Sequence, residues 1–502
     1  MNINPFIFRA YDIRGIATHE AACPPLARKR SELANKRPPK ADTFSFNKTS
    51  YITPDLTAKS SYLIGKATGE YLKKKYNTKT IAVGRDNRLT SSLLQKSCMK
   101  GLIDSGLNVT DIGLATSPMI YWTTYALNFD AGINITASHN PKQYNGFKIV
   151  GKFAHSICGE ELQEILKIIQ KNKKPPIGKK PKKGTLEKLN IWPKYLADIT
   201  KRVRINKKLK IVIDAGNGVA GKFAPELLEK IGCKITKLYC KLDGRFPNHE
   251  ANPEELKNMK ALIKKVKETH ADLGIGFDGD GDRIGVVDEK GHLYSSDFML
   301  LLLAKDLVKR IKNPKIVFDI KVSQVIIDEL KRLGAHPVMS KTGHSFIESK
   351  MKEISASLGG EVSGHLFCAE NYYGFDDALY AACKIIEIIS KEPRPLSELF
   401  ENLTKVYTTE EFKAPCPDNK KFQIVKSLVE HFTKLYDCIT IDGVRISFDK
   451  NSWGAVRASN TSPNLTLRFE ANTKKRLAEI QKIMADEFKK YKEASLKWYK
   501  NK

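Results

Sequence analysis

The chain repeats one pattern of hydrophobic and polar positions three times. A short apolar strand ends in a polar turn, a helix follows, a glycine ends the helix, and a second strand begins. The three copies are TIAVGRDNRLTSSLLQKSCMKGLIDSGLNVTDIG, KIVIDAGNGVAGKFAPELLEKIGCKITKLY and KIVFDIKVSQVIIDELKRLGAHPVMSKTG. This order forms a βαβ unit, which favours mixed or parallel sheets covered by helices. We therefore predict three related α/β domains in tandem.

The three copies share an aspartate at the end of the first strand and a glycine after the helix. These residues are Asp86, Asp214 and Asp319, followed by Gly106, Gly232 and Gly334. Loops at the carboxyl ends of parallel strands are where α/β domains place their sites. We therefore expect functional residues in the polar turns that follow these strands.

The C-terminal part of the chain follows another pattern and predicts an α+β domain. FQIVKSLVEHF predicts an amphipathic helix, CITIDGVRISF, WGAVRAS and NLTLRFEAN predict strands, and KKRLAEIQKIMADEFKKYKEASLKWYK predicts one long helix. Residues 17–55 are rich in Pro, Lys and Arg and predict a long, partly disordered insertion. The predicted domains, arranged around a central cleft, are 1–187, 188–292, 293–403 and 404–502.

Composition and charge narrow the class of protein. The 502 residues contain no apolar run of about eighteen, and the nine cysteines are scattered without CxxC pairs. The N-terminus has no basic segment followed by an apolar core, so we expect a cytoplasmic protein with reduced thiols. The net charge of +29 suits nucleic acid, solvated surface or an anionic substrate. Because the lysine tracts carry no repeated aromatic platform, we expect neither a nucleic-acid nor a membrane partner.

The segment FDGDGDR predicts a metal site. Asp278, Asp280 and Asp282 alternate with glycines, so an extended loop would turn all three carboxylates one way. Oxygen ligands at this density suit Mg²⁺ or Ca²⁺. An EF-hand is excluded, because Arg283 stands where that loop needs glycine and the flanking segments predict strands. An acidic β-turn is the alternative, although carboxylates without a cation repel one another.

Ser138, in TASHNP, is either a nucleophile or one polar residue of a turn. His139 follows it as a neighbouring base would, but serine, asparagine and proline form turns routinely. Two features favour function. The apolar AGINI runs directly into Thr136, which places the loop at the end of a strand, and Lys148 supplies a cation close by in the sequence.

Two later loops carry groups that suit a sugar phosphate. GGEVSGH presents Glu361, Ser363 and His365 at alternate positions of an extended loop, which suits a polyol such as a sugar. RASNTSPN is rich in donors that suit a phosphate dianion, namely Arg457, Ser459, Asn460 and Thr461. A hairpin or surface turn is the alternative for each. With one polar loop in each predicted domain, the set implies a phosphosugar in the central cleft.

The motifs together resemble those of the α-D-phosphohexomutase family, in its bacterial phosphomannomutase/phosphoglucomutase branch. FRAYDIRG, TASHNPKQYNGFKIV, FDGDGDR, KTGHS, GEVSGH, GFDDALY and RASNTSPNLTLRFEA occur in the family's order over nearly the whole chain. RASNT and YNGFKIV resemble this branch more than the phosphoglucosamine branch, which typically has a PSGTEP loop. The insertion is longer than the family usually has there, and its role is open.

The resemblance implies an enzyme that interconverts hexose 6-phosphate and hexose 1-phosphate of mannose, glucose or both. Ser138 would give its phosphoryl group to the sugar phosphate and recover the other phosphate after the 1,6-bisphosphate reorients in the cleft. Mg²⁺ would be the cofactor, and hexose 1,6-bisphosphate would be the activator that recharges the serine. A monomer and a dimer are both open. The rival functions are an aminosugar-phosphate mutase and a basic scaffold without activity that binds nucleic acid.

The resemblance also implies roles for individual residues. The expected catalytic residues are Ser138, Arg14, Lys148 and His344. The expected metal ligands are Ser138, Asp278, Asp280 and Asp282. The expected substrate-binding residues are Tyr11, Arg283, Lys321, Glu361, Ser363, His365, Arg457, Ser459, Asn460 and Thr461. Lys148 would act as a proton shuttle or an electrostatic stabiliser, while His139 would shape the loop or contact the phosphate. The last domain would close over the cleft about a hinge near 400–405.

Overall fold

The computed structural model describes residues 3–17, 54–171, 182–460 and 462–500. Four sheets follow one another along the chain, and helices cover them. Most of the predicted insertion, residues 18–53, lies outside the described residues. Within them, no helix combines the length and the apolar character needed to span a membrane.

The first sheet is mixed, with strand order β1-β5-β4-β2-β3-β6. Its strands are β1 (Ile13–Ile16), β2 (Thr80–Arg85), β3 (Asn108–Leu114), β4 (Ala131–Ile135), β5 (Tyr144–Gly151) and β6 (Leu186–Lys188). Its helices are α1 (Ala58–Tyr76), α2 (Ser91–Asp104), α3 (Ser117–Ala126) and α4 (Glu160–Lys171). β4 runs parallel to β2, whereas β5 runs antiparallel to β4 and to β1.

The second and third sheets repeat this mixed arrangement. The second, ordered β11-β10-β9-β7-β8, contains β7 (Lys210–Asp214), β8 (Lys234–Leu238), β9 (Leu273–Phe277), β10 (Ile284–Asp288) and β11 (Leu293–Tyr294). The third, ordered β13-β12-β14-β15, contains β12 (Lys315–Asp319), β13 (His336–Ser340), β14 (Leu358–Gly360) and β15 (Leu366–Cys368). Their helices are α5 (Trp192–Thr200), α6 (Ala220–Lys230), α7 (Leu256–Thr269), α8 (Ser296–Leu307), α9 (Gln324–Arg332), α10 (His344–Ile354) and α11 (Ala378–Lys391).

The three βαβ units predicted from the sequence pattern are confirmed. They are β2-α2-β3, β7-α6-β8 and β12-α9-β13, and each pair of strands is parallel. The glycine after each helix adopts a left-handed backbone, with φ of 92° at Gly106, 106° at Gly232 and 79° at Gly334. Since larger residues rarely adopt this conformation, glycine allows the chain to leave each helix and enter the next strand.

The C-terminal domain is an antiparallel sheet with helices, as predicted. Its strands are β16 (Tyr407–Thr408), β17 (Phe412–Pro415), β18 (Asp437–Ile439), β19 (Val444–Asp449), β20 (Ser452–Ala458) and β21 (Asn464–Ala471). Its helices are α12 (Asp418–Phe432), α13 (Lys474–Phe488) and α14 (Lys497–Lys500). β21 pairs with β16, β17 and β20, so it is an interior strand of the sheet.

The prediction of one long C-terminal helix is wrong. α13 ends at Phe488, and the chain turns before α14, where the Ser495 N–H donates to the Pro415 carbonyl at 3.0 Å. The turn lets Trp498 pack with ring centroids 5.6 Å from Phe469 and 5.7 Å from Phe488. An unbroken helix would carry Trp498 about 15 Å beyond Phe488, away from the sheet.

The hydrophobic clusters join the first three domains to one another, while the C-terminal domain has a core of its own. One cluster of buried side chains contains residues of the first, second and third sheets and of the helices between them, including Ile120, Ile213 and Leu300. The C-terminal domain has a separate core around Leu428 and Phe469. The first three domains therefore form a continuous platform. The fourth attaches to it through a small apolar cluster of Ile320, Trp453 and Ala455 and through the polar contacts described below.

Replacing Trp498 tests whether the turn before α14 stabilises the C-terminal domain. We expect Trp498→Ala to lower the free energy of unfolding by about 3 kcal/mol, because it removes a large buried ring between two others. Chemical denaturation measures this. The control is Phe422→Ala, since Phe422 is 61% exposed and should change stability by less than about 0.5 kcal/mol. Equal effects of the two variants would contradict the packing.

Candidate active site

The loops that carry the predicted residues meet at the ends of strands from all four domains. Ser138 follows β4, Asp278 follows β9, Lys321 follows β12 and Glu361 follows β14, while Arg457 lies near the end of β20. This is the position at which sheets containing parallel strands form sites. The structure therefore brings together residues that are far apart in the sequence.

Ser138 is buried and in contact with the acidic loop. Its Oγ donates to Asp278 Oδ2 at 2.6 Å and lies 3.2 Å from His139 Nδ1. Its backbone φ is 49°, a conformation that is uncommon for residues other than glycine and that clusters at functional sites. Burial and the nearby cations Arg283 and Arg14 hold the pKa of His139 well below its usual value. His139 is therefore a neutral neighbour of the hydroxyl.

Arg88 holds the Ser138 loop in place. Its Nη2 donates to the carbonyl oxygens of Ser138 at 2.7 Å and Asn140 at 2.6 Å. Its Nε donates to Asp86 Oδ2 at 3.1 Å, and the same oxygen accepts from Thr136 Oγ1 at 2.8 Å. The aspartate that ends the first strand of the repeat thus fixes both the arginine and the loop. The sequence singled out Asp86 by its repetition but gave no signal for Arg88.

The acidic segment is a hairpin turn, not the extended loop expected from its sequence. β9 and β10 pair antiparallel up to Phe277 and Ile284, which closes the segment between them. Asp278 Oδ1 accepts from the N–H groups of Gly281 at 2.9 Å and Asp282 at 3.1 Å. The turn still gathers the acidic groups, because possible ligand oxygens of Asp278, Asp280 and Asp282 all lie within 4.8 Å of one another.

The three carboxylates fit a divalent cation. All three residues are fully buried, and Asp280 Oδ1 and Asp282 Oδ1 are among the described side-chain atoms that lack a hydrogen-bond partner. Lys148 Nζ lies 2.8 Å from Asp280 Oδ2 and also contacts Asp282. One ammonium faces three acidic groups, and hard oxygen donors are what Mg²⁺ prefers. Asp278, Asp280 and Asp282 could therefore hold such an ion beside Ser138 Oγ.

The electrostatics of this cluster follow from burial and repulsion. Burial and the neighbouring carboxylates Asp282 and Asp280 raise the pKa of Asp278 well above its usual value. Burial also opposes the charge of Asp282, but Lys148, His365 and Arg283 together outweigh it, and the pKa of Asp282 is well lowered. The pKa of Lys148 is well raised, because the two carboxylates outweigh its burial. The ammonium is therefore held charged and paired with the acids, and its role in proton transfer stays a prediction.

Arg14 reaches the same loop from β1. Its Nε donates to Asp12 Oδ2 at 2.6 Å, and its Nη1 donates to Asn140 Oδ1 at 2.8 Å. Arg14 is 8% exposed and Asp12 is 2% exposed. The guanidinium is thus fixed beside the Ser138 loop.

Two imidazoles lie together on the other side of the acidic turn. His365 Nε2 accepts from Arg283 Nε at 2.9 Å, so Nδ1 carries the ring proton and lies 2.7 Å from Asp376 Oδ2. The His344 ring stacks on His365 with centroids 5.5 Å apart. Burial lowers the pKa of His365 to about 3, and that of His344 is also well below the ordinary value. Asp376 is not among the site residues predicted from the sequence, although it is one of the two adjacent acids in GFDDALY.

The GEVSGH segment is a tight hairpin turn between β14 and β15, and the expectation of an extended loop is wrong. The Glu361 N–H donates to the His365 carbonyl at 2.9 Å. Glu361 Oε1 accepts from the Gly343 N–H at 2.6 Å, while Ser363 is half-buried in the turn. A Cβ on Gly343 would meet the Tyr11 ring at 2.6 Å. The turn therefore separates Glu361, which faces Gly343, from His365, which faces Arg283.

The C-terminal loop that carries Arg457 and Asn460 contacts the first and third domains. Asn460 Nδ2 contacts Tyr11 Oη, which donates to the Thr342 carbonyl at 3.0 Å. Arg457 Nε donates to Asp442 Oδ2 at 2.6 Å, and that oxygen also accepts from the Thr342 N–H at 2.9 Å. The first, third and fourth domains thus meet around Tyr11 and Thr342.

The predicted anion-binding loop of the C-terminal domain is partly described. The Ser459 N–H donates to the Asn464 carbonyl at 2.9 Å, and Lys421 Nζ donates to the Ser459 carbonyl at 2.5 Å. Arg457 Nη2 is buried and belongs to the described atoms without a hydrogen-bond partner, so it is available to an anion. Thr461 lies outside the described residues.

Family models match four successive parts of this chain. Three are described as phosphoglucomutase/phosphomannomutase alpha/beta/alpha domains I, II and III, and they match residues 47–176, 193–291 and 295–407. The fourth, the C-terminal domain of the same family, matches residues 411–487. The chain belongs to the phosphoglucomutase/phosphomannomutase family.

Relatives cover nearly the whole chain. A phosphomannomutase/phosphoglucomutase of Pseudomonas syringae is 40% identical over 487 residues, which are 96% of this chain and 95% of the relative. A phosphoglucomutase of Neisseria meningitidis is 37% identical and covers 96% of each chain. A crystal structure of a family protein from Burkholderia thailandensis superposes with a TM-score of 0.83 at 31% identity, covering 97% of this chain and 98% of that one. The resemblance found in the sequence and the α/β fold with four domains are confirmed.

Metal titration tests the acidic cluster without an activity assay. We expect Asp280→Asn to weaken binding of Mg²⁺ or Mn²⁺ at least about 100-fold, since even loss of groups behind the ligands costs about 10- to 100-fold. Calorimetric titration measures this, and the exposed Asp437→Asn serves as the control. Unchanged affinity in a folded Asp280→Asn protein would rule out this residue as a ligand.

Glu361 predicts a specific dependence of stability on pH. Burial, together with repulsion by Asp319, raises its pKa from 4.5 to about 8. Between these pH values the folded state holds a proton that the unfolded state has lost, so stability falls as pH rises. We expect Glu361→Gln to gain stability relative to the parent by up to about 1.4 kcal/mol per pH unit in this window. Urea unfolding at several pH values measures the difference, and exposed Glu353→Gln should show no such trend.

Proposed function

We propose that this chain is a phosphohexomutase that interconverts hexose 6-phosphate and hexose 1-phosphate, with Ser138 as the phosphoryl carrier. Family membership along the whole chain supports the reaction. The observation that carries the role of Ser138 is its buried Oγ, 2.6 Å from Asp278 in the carboxylate cluster. A hydroxyl next to a cation site and to fixed arginine and lysine side chains suits phosphoryl transfer, which depends mainly on positioning and on charge stabilisation.

In the proposed reaction, a phosphoryl group on Ser138 passes to the free hydroxyl of the sugar phosphate. The resulting hexose 1,6-bisphosphate turns in the cleft and returns its other phosphate to Ser138. Arg14 binds the Ser138 loop and Lys148 binds the acidic turn, and both would stabilise charge on the transferring group. Mg²⁺, held by Ser138, Asp278, Asp280 and Asp282, would withdraw electron density as the P–O bond breaks.

The remaining residues would bind and orient the sugar. Glu361 and Ser363 would accept and donate hydrogen bonds to its hydroxyls, and His365 and Arg283 would also contact the sugar. His344 would hold or move a proton near the reacting hydroxyl. In the C-terminal domain the cradle for the phosphate that is not transferred would consist of Arg457, Ser459, Asn460 and Thr461.

The fixed cradle explains how one site could serve both sugar phosphates. Tyr11, Lys321 and the C-terminal loop would hold whichever phosphate is distant from Ser138, and the domain would open slightly for the bisphosphate to turn. Hexose 1,6-bisphosphate would also act as activator, since a serine that has lost its phosphate must be recharged. Several points stay predictions. They are the preference for mannose or glucose, the cytoplasmic location, the monomeric or dimeric state, the absence of nucleic-acid and membrane partners, and the domain boundaries given above.

Replacing the serine tests the proposed function. We expect Ser138→Ala to lower kcat by at least about 10³-fold, because the covalent route is lost. The matched control is Ser92→Ala, on the partly exposed face of α2, which should keep activity. Coupled assays with the 1-phosphates of mannose, glucose, glucosamine and acetylglucosamine measure turnover. Full activity of Ser138→Ala, or turnover of aminosugars alone, would contradict the proposal.

A further inference from the structure

The C-terminal domain places one carboxylate in the predicted sugar site. Glu411 lies between β16 and β17, and both strands pair with β21. The connection is tied to β21 at Thr409, whose N–H donates to the Phe469 carbonyl at 2.9 Å and whose Oγ1 accepts from the Phe469 N–H at 3.1 Å. The position of Glu411 is therefore set by the sheet of its own domain.

Glu411 forms an ion pair with a lysine of the third domain. Lys321 Nζ donates to Glu411 Oε2 at 2.7 Å and lies 3.5 Å from Asp319 Oδ2. The side chains of Lys321 and Glu411 are 6% and 19% exposed. Burial opposes the charge of Lys321, but attraction to Glu411 and Asp319 outweighs it and raises its pKa overall. A charged, nearly buried pair thus spans the two domains.

The same domain also holds the backbone on either side of Lys321. Arg445 Nη1 donates to the carbonyl oxygens of Ile320 at 2.6 Å and Val322 at 2.7 Å. Arg445 is 2% exposed. The C-terminal domain therefore fixes Lys321 at two points, its backbone through Arg445 and its ammonium through Glu411.

The Lys321 ammonium can bind a substrate while it is paired with Glu411. An ammonium has three N–H donors, so the bond to Glu411 leaves others for a ligand. Glu361, predicted to bind sugar hydroxyls, lies close enough for Lys321 to lower its pKa against burial. Glu254 of the second domain also interacts electrostatically with both Glu411 and Lys321. Without Glu411, the lysine would be drawn to its other acidic neighbours.

We propose that Glu411 is a positioning residue that holds the Lys321 ammonium in its substrate-binding place when the C-terminal domain is closed. This inference rests on the proposed function and deepens it. Opening the domain would remove the contacts that both Glu411 and Arg445 make with Lys321 and its neighbours. Lys321 is therefore held in position for the substrate only in the closed enzyme. Closure and substrate binding are then thermodynamically linked.

A double-mutant cycle tests whether Glu411 acts through Lys321. The proteins are the parent, Glu411→Gln, Lys321→Gln and the double variant, and Gln keeps the size of Glu while removing its charge. The control is Glu410→Gln, because Glu410 is the adjacent acid and is exposed. kcat and KM for the sugar 1-phosphate are measured for each, together with the thermal unfolding midpoint.

We expect Glu411→Gln to lower kcat/KM about tenfold in the parent and less than about twofold in the Lys321→Gln background, since residues that act as a unit are not additive. Glu410→Gln should stay within about twofold of the parent. Additive effects of the two substitutions, or equal effects of Glu411→Gln and Glu410→Gln, would overturn the inference and leave the proposed function standing. A parent protein without mutase activity would overturn both.

Discussion

The burial of three carboxylates beside one serine hydroxyl is the constraint on which the rest of the structure depends. Asp278, Asp280 and Asp282 are fully buried with ligand oxygens within 4.8 Å of one another. Like charges in such a place repel one another strongly, because burial reduces the screening by solvent. Lys148 offsets part of this charge, and Ser138 Oγ donates a hydrogen bond to one carboxylate oxygen of Asp278. The remaining demand for positive charge is what makes the cluster suitable for a metal ion and a phosphoryl group.

The architecture explains how this site can be rigid in one part and adjustable in another. The first three domains share a hydrophobic core, so the serine, the acidic turn and the imidazoles rest on one platform. The C-terminal domain has its own core. It meets the platform through a small apolar cluster at Ile320 and Trp453 and through hydrogen bonds and ion pairs around Tyr11, Lys321 and Thr342. Polar contacts can be exchanged for contacts with ligand or water, which suits the proposed opening and closing of this domain.

The sequence predicted the elements whose signals are local. Period-two and period-3.6 patterns, with glycines at the turns, were enough for the βαβ units and for most of the C-terminal domain. The long C-terminal helix was mispredicted because the packing of Trp498 on the sheet, a tertiary contact, decides where α13 ends. The alternating polar residues of the acidic and GEVSGH segments predict extended loops, but strand pairing on both sides folds each segment into a hairpin turn.

The residues missed in the site are those that act through long-range contacts. Arg88 binds carbonyl groups of a loop about fifty positions away, and Glu411 binds a lysine of another domain. Asp376 faces an imidazole only after β15 and the start of α11 are in place. Each is an ordinary charged residue in its own segment, so only the fold reveals its partner. By contrast, the acidic turn and the serine loop were recognisable, because several chemical groups stand close together in the sequence.

The most direct test of the account follows the phosphoryl group itself. Enzyme carrying a ³²P label is mixed with an excess of unlabelled hexose 6-phosphate and quenched within a single turnover, and the label is then located in peptides and in sugar phosphates. We expect the label to start on the Ser138 peptide and to move to hexose 1,6-bisphosphate and hexose phosphate. Label found on another residue, or released only as inorganic phosphate, would contradict this expectation.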